Sequence, residues 1–174
     1  IAAGGTMSAI DAGYQTNAGP GAGSFFIGGS YGGRGDGSSA APYSSITNPD
    51  ELGSGANNSA GGGYIKLNIT DTFTLNGVLS ASSSYVGGGC SGGSGSGGTI
   101  HLTANTFAGS GSMSVNGGET CYSGGGGRIA YYYTNKTFSG PITAYGGNYN
   151  EPGAAGTIYE KATSWARGIV YVNN

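Results

Sequence analysis

The chain has 174 residues, 40 of them glycine, with 8% charged residues and a formal net charge of −2. That length suits one domain with a core of its own. Glycine stands at about three times its usual share of roughly 7%, but without a G-X-Y period, which excludes a collagen triple helix. The six basic residues are scattered rather than striped, which excludes a nucleic-acid surface.

The first predicted element is a short apolar alternation that places Met7 and Ala9 on one face. Residues 28–62 follow no regular pattern. They hold Gly28-Gly29-Ser30-Tyr31-Gly32-Gly33, Pro42, Pro49 and Asp50-Glu51, and read as a lateral loop inserted into a single domain spanning 1–174. Long irregular loops of this kind are where recognition residues concentrate.

From Gly63 onward one phrase recurs four times. Each copy has Gly, a variable residue, Ile and a period-two alternation, then Thr or Ser followed by an aromatic. The copies centre on Ile65, Ile100, Ile129 and Ile158, at steps of 35, 29 and 29 residues, and their aromatics are Phe73, Phe107, Phe138 and Trp165. A second apolar alternation closes each copy: Leu79 and Ala81, Met113 and Val115, Ile142 and Ala144, Val170 and Val172. Period-two alternation bounded by glycine predicts strands. A near-constant repeat predicts units that bury their apolar faces only by stacking. The expected fold is all-β: a Gly-rich parallel β-helix, or β-solenoid, of about four to five rungs. A Gly-rich β-sandwich is the alternative. In the fourth copy Glu160 occupies an inward position, which is costly unless the carboxylate is paired or solvated.

Cys90 and Cys121 lie 31 residues apart, close to the repeat, so stacking places them within bridging reach. A disulfide is expected, and with it an oxidising compartment. One histidine and no C-x-x-C pair leave no ligand set for zinc, and no cofactor is expected. Three N-x-S/T sequons make Asn57, Asn68 and Asn135 candidate glycan acceptors.

Other motifs carry less. Arg34-Gly35-Asp36 spells an adhesive tripeptide, but three residues recur by chance. Gly92–Gly98 lacks the Gly-Lys-Ser/Thr and the helix of a phosphate loop. His101 alternates with Ile100 and Leu102 and should face outward. Asp71, Glu119 and Glu151 are the acids a polysaccharide-degrading enzyme would need, yet their places in the repeat force no opposed pair. Thirteen tyrosines, among them Tyr122, Tyr132, Tyr145 and Tyr149, offer stacking surfaces. No stretch reaches the roughly 18 apolar residues of a membrane helix. The chain starts at Ile1, so a processed or truncated start is expected, and a missing signal says nothing against secretion.

Gly97-Gly98-Thr99-Ile100-His101-Leu102, Gly124–Ala130 and Gly153–Tyr159 resemble Gly-rich repeats of secreted and surface-anchored adhesin-like proteins. The resemblance covers about residues 61–174, implies a parallel β-helix, and transfers no catalytic residue. With a charge content far below the usual quarter, it suggests an extracellular, non-enzymatic structural protein. The expected role is a subunit of a filament or surface fibre assembled head-to-tail. The strand edges around Met7, Ala9, Ile169, Val170 and Val172 are the expected interface, and copies of the chain, with attached or bound glycans, are the expected partners. A carbohydrate-binding or adhesin module, using the 28–62 insert and outward tyrosines, is the alternative. A polysaccharide-degrading enzyme comes third.

Overall fold

A computed structural model describes residues 1–84, 90 and 92–174. The described chain is all-β, and its strands are β1 (Thr6–Ser8), β2 (Tyr64–Thr74), β3 (Val78–Ser80), β4 (Thr99–Ala108), β5 (Ser112–Ser114), β6 (Arg128–Lys136), β7 (Ile142–Thr143), β8 (Thr157–Ala162) and β9 (Ile169–Tyr171). They form two sheets. The short strands make one, in the order β1-β3-β5-β7, and the long strands the other, in the order β2-β4-β6-β8-β9.

This corrects the expected β-solenoid. The two sheets are separate, and the larger is mixed: β9 turns back and pairs antiparallel with β8, Val170 opposite Tyr159. Val170 and Val172 therefore do not extend the short-strand sheet, as the repeat predicted. The architecture is consistent with the alternative, a Gly-rich β-sandwich. The physical reason lies in the glycine segments, which among the described residues meet only through isolated bridges, such as Gly93 with Tyr122 and Tyr122 with Glu151, and not through a third ladder.

The core sits between the sheets. Ile65, Ile100, Ile129 and Ile158 are in register across β2, β4, β6 and β8. Leu79 and Met113 of the short-strand sheet, and Val115 just after β5, belong to the same core and are all fully buried. Phe107 stacks on Phe73 at 5.9 Å and on Phe138 at 4.3 Å. Trp165 leaves this stack: it is 36% exposed and meets Tyr133 edge-on. The β8–β9 reversal carries it off the column.

Beside the sheets lies a layer rich in glycine and serine. Here successive N–H groups point to different neighbours: Gly53 donates to Gly62, Ser54 to the Ser96 hydroxyl, and Gly55 to Ala18. A ladder strand alternates between two directions, whereas three directions match an extended helix with three residues per turn. Such segments pack backbone against backbone. A Cβ on Gly97 would lie 1.9 Å from the Val115 carbonyl oxygen, and one on Gly124 1.9 Å from that of Gly95. Neither has positive φ. Glycine is needed in this layer for close approach rather than for sharp corners.

Residues 28–62 divide in three. Residues 28–35 and 53–62 belong to the glycine layer, with Gly33 bonded to Gly126 and Gly62 to Ser96. The stretch between forms a strap over the long-strand sheet. Thr99 donates to the Glu51 carbonyl at 2.7 Å, Arg128 Nε to the Tyr43 carbonyl at 2.9 Å, and the Tyr132 hydroxyl to the Thr47 carbonyl.

Candidate functional site

Three regions carry chemistry beyond core packing. The first is a polar cluster between β6, β8 and β9. Alternation along β8 turns Glu160 inward, where it is only 5% exposed. Its carboxylate accepts from Lys136 Nζ at 2.8 Å, the Tyr133 hydroxyl at 2.6 Å and the Tyr171 hydroxyl at 3.0 Å. Lys136 also donates to the Tyr131 hydroxyl at 3.2 Å. Burial alone would raise the Glu160 pKa, but the hydrogen bonds from Lys136 and the tyrosines outweigh it and hold the group below the ordinary carboxylate range. Burial, reinforced by Glu160, pushes the Tyr131 and Tyr133 phenols well above their ordinary value. The cluster is thus an anion ringed by fixed donors.

It floors a cleft of 350 Å³ lined by Ile142, Tyr145, Ile158 and Tyr171 among others. A larger cleft of 680 Å³, with Asn116, Glu119, Asn148 and Asn174 on its walls, shares Tyr145. The Tyr145 backbone is fixed by the Asn116 side chain at 2.9 Å.

The second region is the pair of outer strands. All three residues of β9 are exposed, and Ile169, Val170, Tyr171 and Val172 form an apolar run with relative exposures of 43%, 46%, 42% and 64%. Met7 on β1 is 39% exposed, and Ala9 is half-buried. The sequence singled out these five interface candidates. The structure places Met7 on β1, with Ala9 just beyond its end, and Ile169 and Val170 on β9, with Val172 just beyond its end, in different sheets.

The third region is the row of tips where the glycine segments turn. Cys90 and Cys121 are joined by a disulfide, with Cα atoms 4.9 Å apart. Tyr122 bridges to Gly93 on one side and Glu151 on the other. Beside them the exposed pair Phe25 and Phe26 projects from a tight turn.

The remaining sequence candidates fall as follows. Asn68 with Thr70, and Asn135 with Thr137, are exposed, whereas Asn57 is half-buried and Ser59 buried. The Ser59 hydroxyl is already engaged by Ser83 and Gly95. Arg34-Gly35-Asp36 is not a free loop: Gly35 and Asp36 donate to Ser30 and Ser123, and Asp36 accepts from Gly28. Asp71, Glu119 and Glu151 are exposed on separate elements. Among the described residues, no group of three or more His, Cys, Asp or Glu side chains is placed to hold a metal. His101 does lie on the outer face of its strand, but the strap buries it to 7% exposure. Its Nδ1 is the one buried side-chain polar atom among the described residues without a hydrogen-bond partner. Burial, then the Lys66 charge, lowers its pKa.

Sequence reasoning missed Arg128, Tyr31 and the Phe25–Phe26 pair. Arg128 is buried with its guanidinium 5.7 Å over the Tyr31 ring and its Nη1 on Thr157. Nothing in the local alternation reveals that the strap covers it. The adjacent phenylalanines were visible as an apolar pair within glycine, and that was a usable signal. Compared with protein-family models, curated proteins and solved structures, the chain matches none.

Proposed function

We propose that this chain is an extracellular, non-enzymatic structural protein that associates with copies of itself, strand edge to strand edge, into a fibre. The observation that carries this reading is the exposed apolar run Ile169–Val172, formed by the outer strand β9 of the larger sheet and the residue after it. Exposed apolar edge strands are normally shielded by charge, proline or a covering element. The opposite outer strand, β2, follows that rule with exposed Lys66 and Asp71, while β9 contains no charge.

Internal repetition supports a second copy as the occupant. β3 pairs with β1, β5 with β3 and β7 with β5, always parallel. The outer side of β7 therefore resembles the edge that β5 offers to β7, and it suits β1 of another copy. Such a contact joins two different surfaces and propagates rather than closes. The disulfide is compatible with secretion. No helix among the described residues is long and apolar enough to cross a membrane. Exposed sequons at Asn68 and Asn135 fit a glycosylated surface.

Electron microscopy of concentrated, disulfide-intact protein tests the proposal. Fibres that disappear in Val170→Pro are the expected result, since proline removes a ladder donor. Discrete particles at every concentration would refute it.

A second reading, a carbohydrate-binding module, is favoured by the two clefts that meet at Tyr145. An aromatic ring flanked by carboxamides and an ionised carboxylate is suited to stacking on and bonding to sugars. Binding of soluble oligosaccharides that is lost in Tyr145→Ala would support it.

A further inference from the structure

Three of the chain's five phenylalanines are buried, at 8%, 0% and 7% exposure. The other two, Phe25 and Phe26, are adjacent and stand 55% and 60% exposed. They occupy the two central positions of a tight turn closed by Ser24 and Ile27. Ser24 N–H donates to the Ile27 carbonyl at 2.9 Å, and Ile27 N–H returns to Ser24 at 3.4 Å. Gly93 N–H adds a bond to the Ser24 carbonyl at 3.2 Å, and a Cβ on Gly93 would lie 2.0 Å from the Ile27 oxygen. The Phe26 ring rests edge-on against Tyr122 at 5.3 Å, next to the Cys90–Cys121 bridge. The turn is therefore held from behind, and the cost of ordering its side chains is largely met before any partner arrives.

The shape and charge of the tip select the partner. Phe25 and Phe26 meet at 67°, and Phe26 and Tyr122 at 73°. Phe26 thus meets each neighbouring ring edge to face, and the tip presents a wedge rather than a flat stack of rings. The segment Gly23–Gly29 contains no charged residue and no proline. The charged residues tied to its surroundings are Asp36, whose carbonyl accepts from Gly28, and Glu151, which bridges to Tyr122. With Arg34 beside Asp36, the rim carries more acid than base. An anionic surface would repel it, and an uncharged one would not.

We propose that the Phe25–Phe26 turn is a membrane-contact tip that places both rings in the interfacial region of a zwitterionic lipid surface. Aromatic side chains favour that region, where apolar bodies leave water without entering the hydrocarbon centre. One tip gives weak, reversible contact, and an array of copies strengthens it by avidity. The inference does not depend on the assembly proposed above.

Co-flotation of the disulfide-intact protein with phosphatidylcholine vesicles tests it. The wild type should float with vesicles, and the fraction bound should not fall at 1 M salt, where charge contacts are screened within about 3 Å. The double substitution Phe25→Ser/Phe26→Ser should reduce partitioning by on the order of tenfold or more. Should that variant fold poorly, Phe26→Trp in a Trp165→Phe background gives an independent readout. Its emission should shift to the blue with vesicles and be quenched by brominated lipid. Absence of wild-type flotation, equal flotation of the double variant, or binding confined to phosphatidylserine and lost in salt would each overturn the proposal. The first of these outcomes would point to a protein pocket as the partner of the wedge.

Discussion

Replacing Gly97 with alanine isolates the physical basis of the glycine layer. Elsewhere, Gly→Ala at an unstrained φ stabilises a protein by about 0.4–1 kcal/mol, because the unfolded chain loses entropy. Gly97 has no positive φ, so that rule predicts a gain. The structure predicts a loss. A Cβ there would lie 1.9 Å from the Val115 oxygen and 2.7 Å from the Gly127 nitrogen. Those two atoms are bonded to each other at 2.8 Å, and Gly97 itself donates to Gly125 at 2.9 Å. Making room separates backbone segments tied on both sides. Overpacking costs about 1–3 kcal/mol, and a buried backbone pair left unsatisfied costs about as much again. About 4 kcal/mol is therefore expected, a large part of a typical domain stability of roughly 5–15 kcal/mol. In urea, followed by far-UV circular dichroism, the midpoint should fall by about 2 M at an ordinary slope. Gly5→Ala is the comparator. Its Cβ would approach nothing nearer than the Ala2 oxygen at 3.1 Å and an Ile1 methyl at 3.3 Å, and its effect should stay within about 1 kcal/mol. A Gly97→Ala protein as stable as the wild type, or more so, would refute close backbone packing as the reason for the glycines.

Removing the bridge with Cys90→Ala/Cys121→Ala should destabilise the fold by about 3–4 kcal/mol, the loop-closure value for its 31-residue separation; unchanged thermal unfolding would contradict this. Acid should weaken the fold in two windows. His101 is held neutral in the fold, so the unfolded chain takes up its proton first, and its contribution is complete above pH 6.5 and lost as pH falls from there. Glu160 is held ionised, so its contribution is complete above pH 4.5 and lost as pH falls through its lower folded value. Urea unfolding across pH should lose the first step in His101→Gln and the second in Glu160→Gln, and steps that persist in both variants would refute the assignments. In a glycosylating secretory host, mass spectrometry should find Asn68 and Asn135 modified and Asn57 bare; modification of Asn57 alone would reverse the exposure argument.

Much of this was legible in the repeat. Ile65, Ile100, Ile129 and Ile158 mark strands in register because the glycine before each isoleucine and the alternation after it are local signals. The Cys90–Cys121 pairing followed from spacing alone. Glu160 was visible as an anomaly, an acid at an inward position, but its partners Lys136, Tyr133 and Tyr171 come from other elements and no local pattern names them. The solenoid expectation failed first at the C-terminal strand, where the sequence could not arbitrate. Ile169-Val170-Tyr171-Val172 repeats the spelling of the short strands, yet it folds back on β8, and only tertiary pairing decides between those outcomes. The glycines posed a similar ambiguity. Composition did not distinguish turns from close-packed extended segments, because both need glycine for different reasons.

The central claim, self-association through strand edges, is tested most directly by amide hydrogen exchange on disulfide-intact protein at rising concentration. The account predicts that exchange slows in Thr6–Ala9, Ile142–Thr143 and Gly168–Val172 as concentration increases, while the buried strands β4 and β6 stay as protected as before. Exchange at those edges that does not change with concentration, or protection that appears elsewhere on the surface instead, would contradict it.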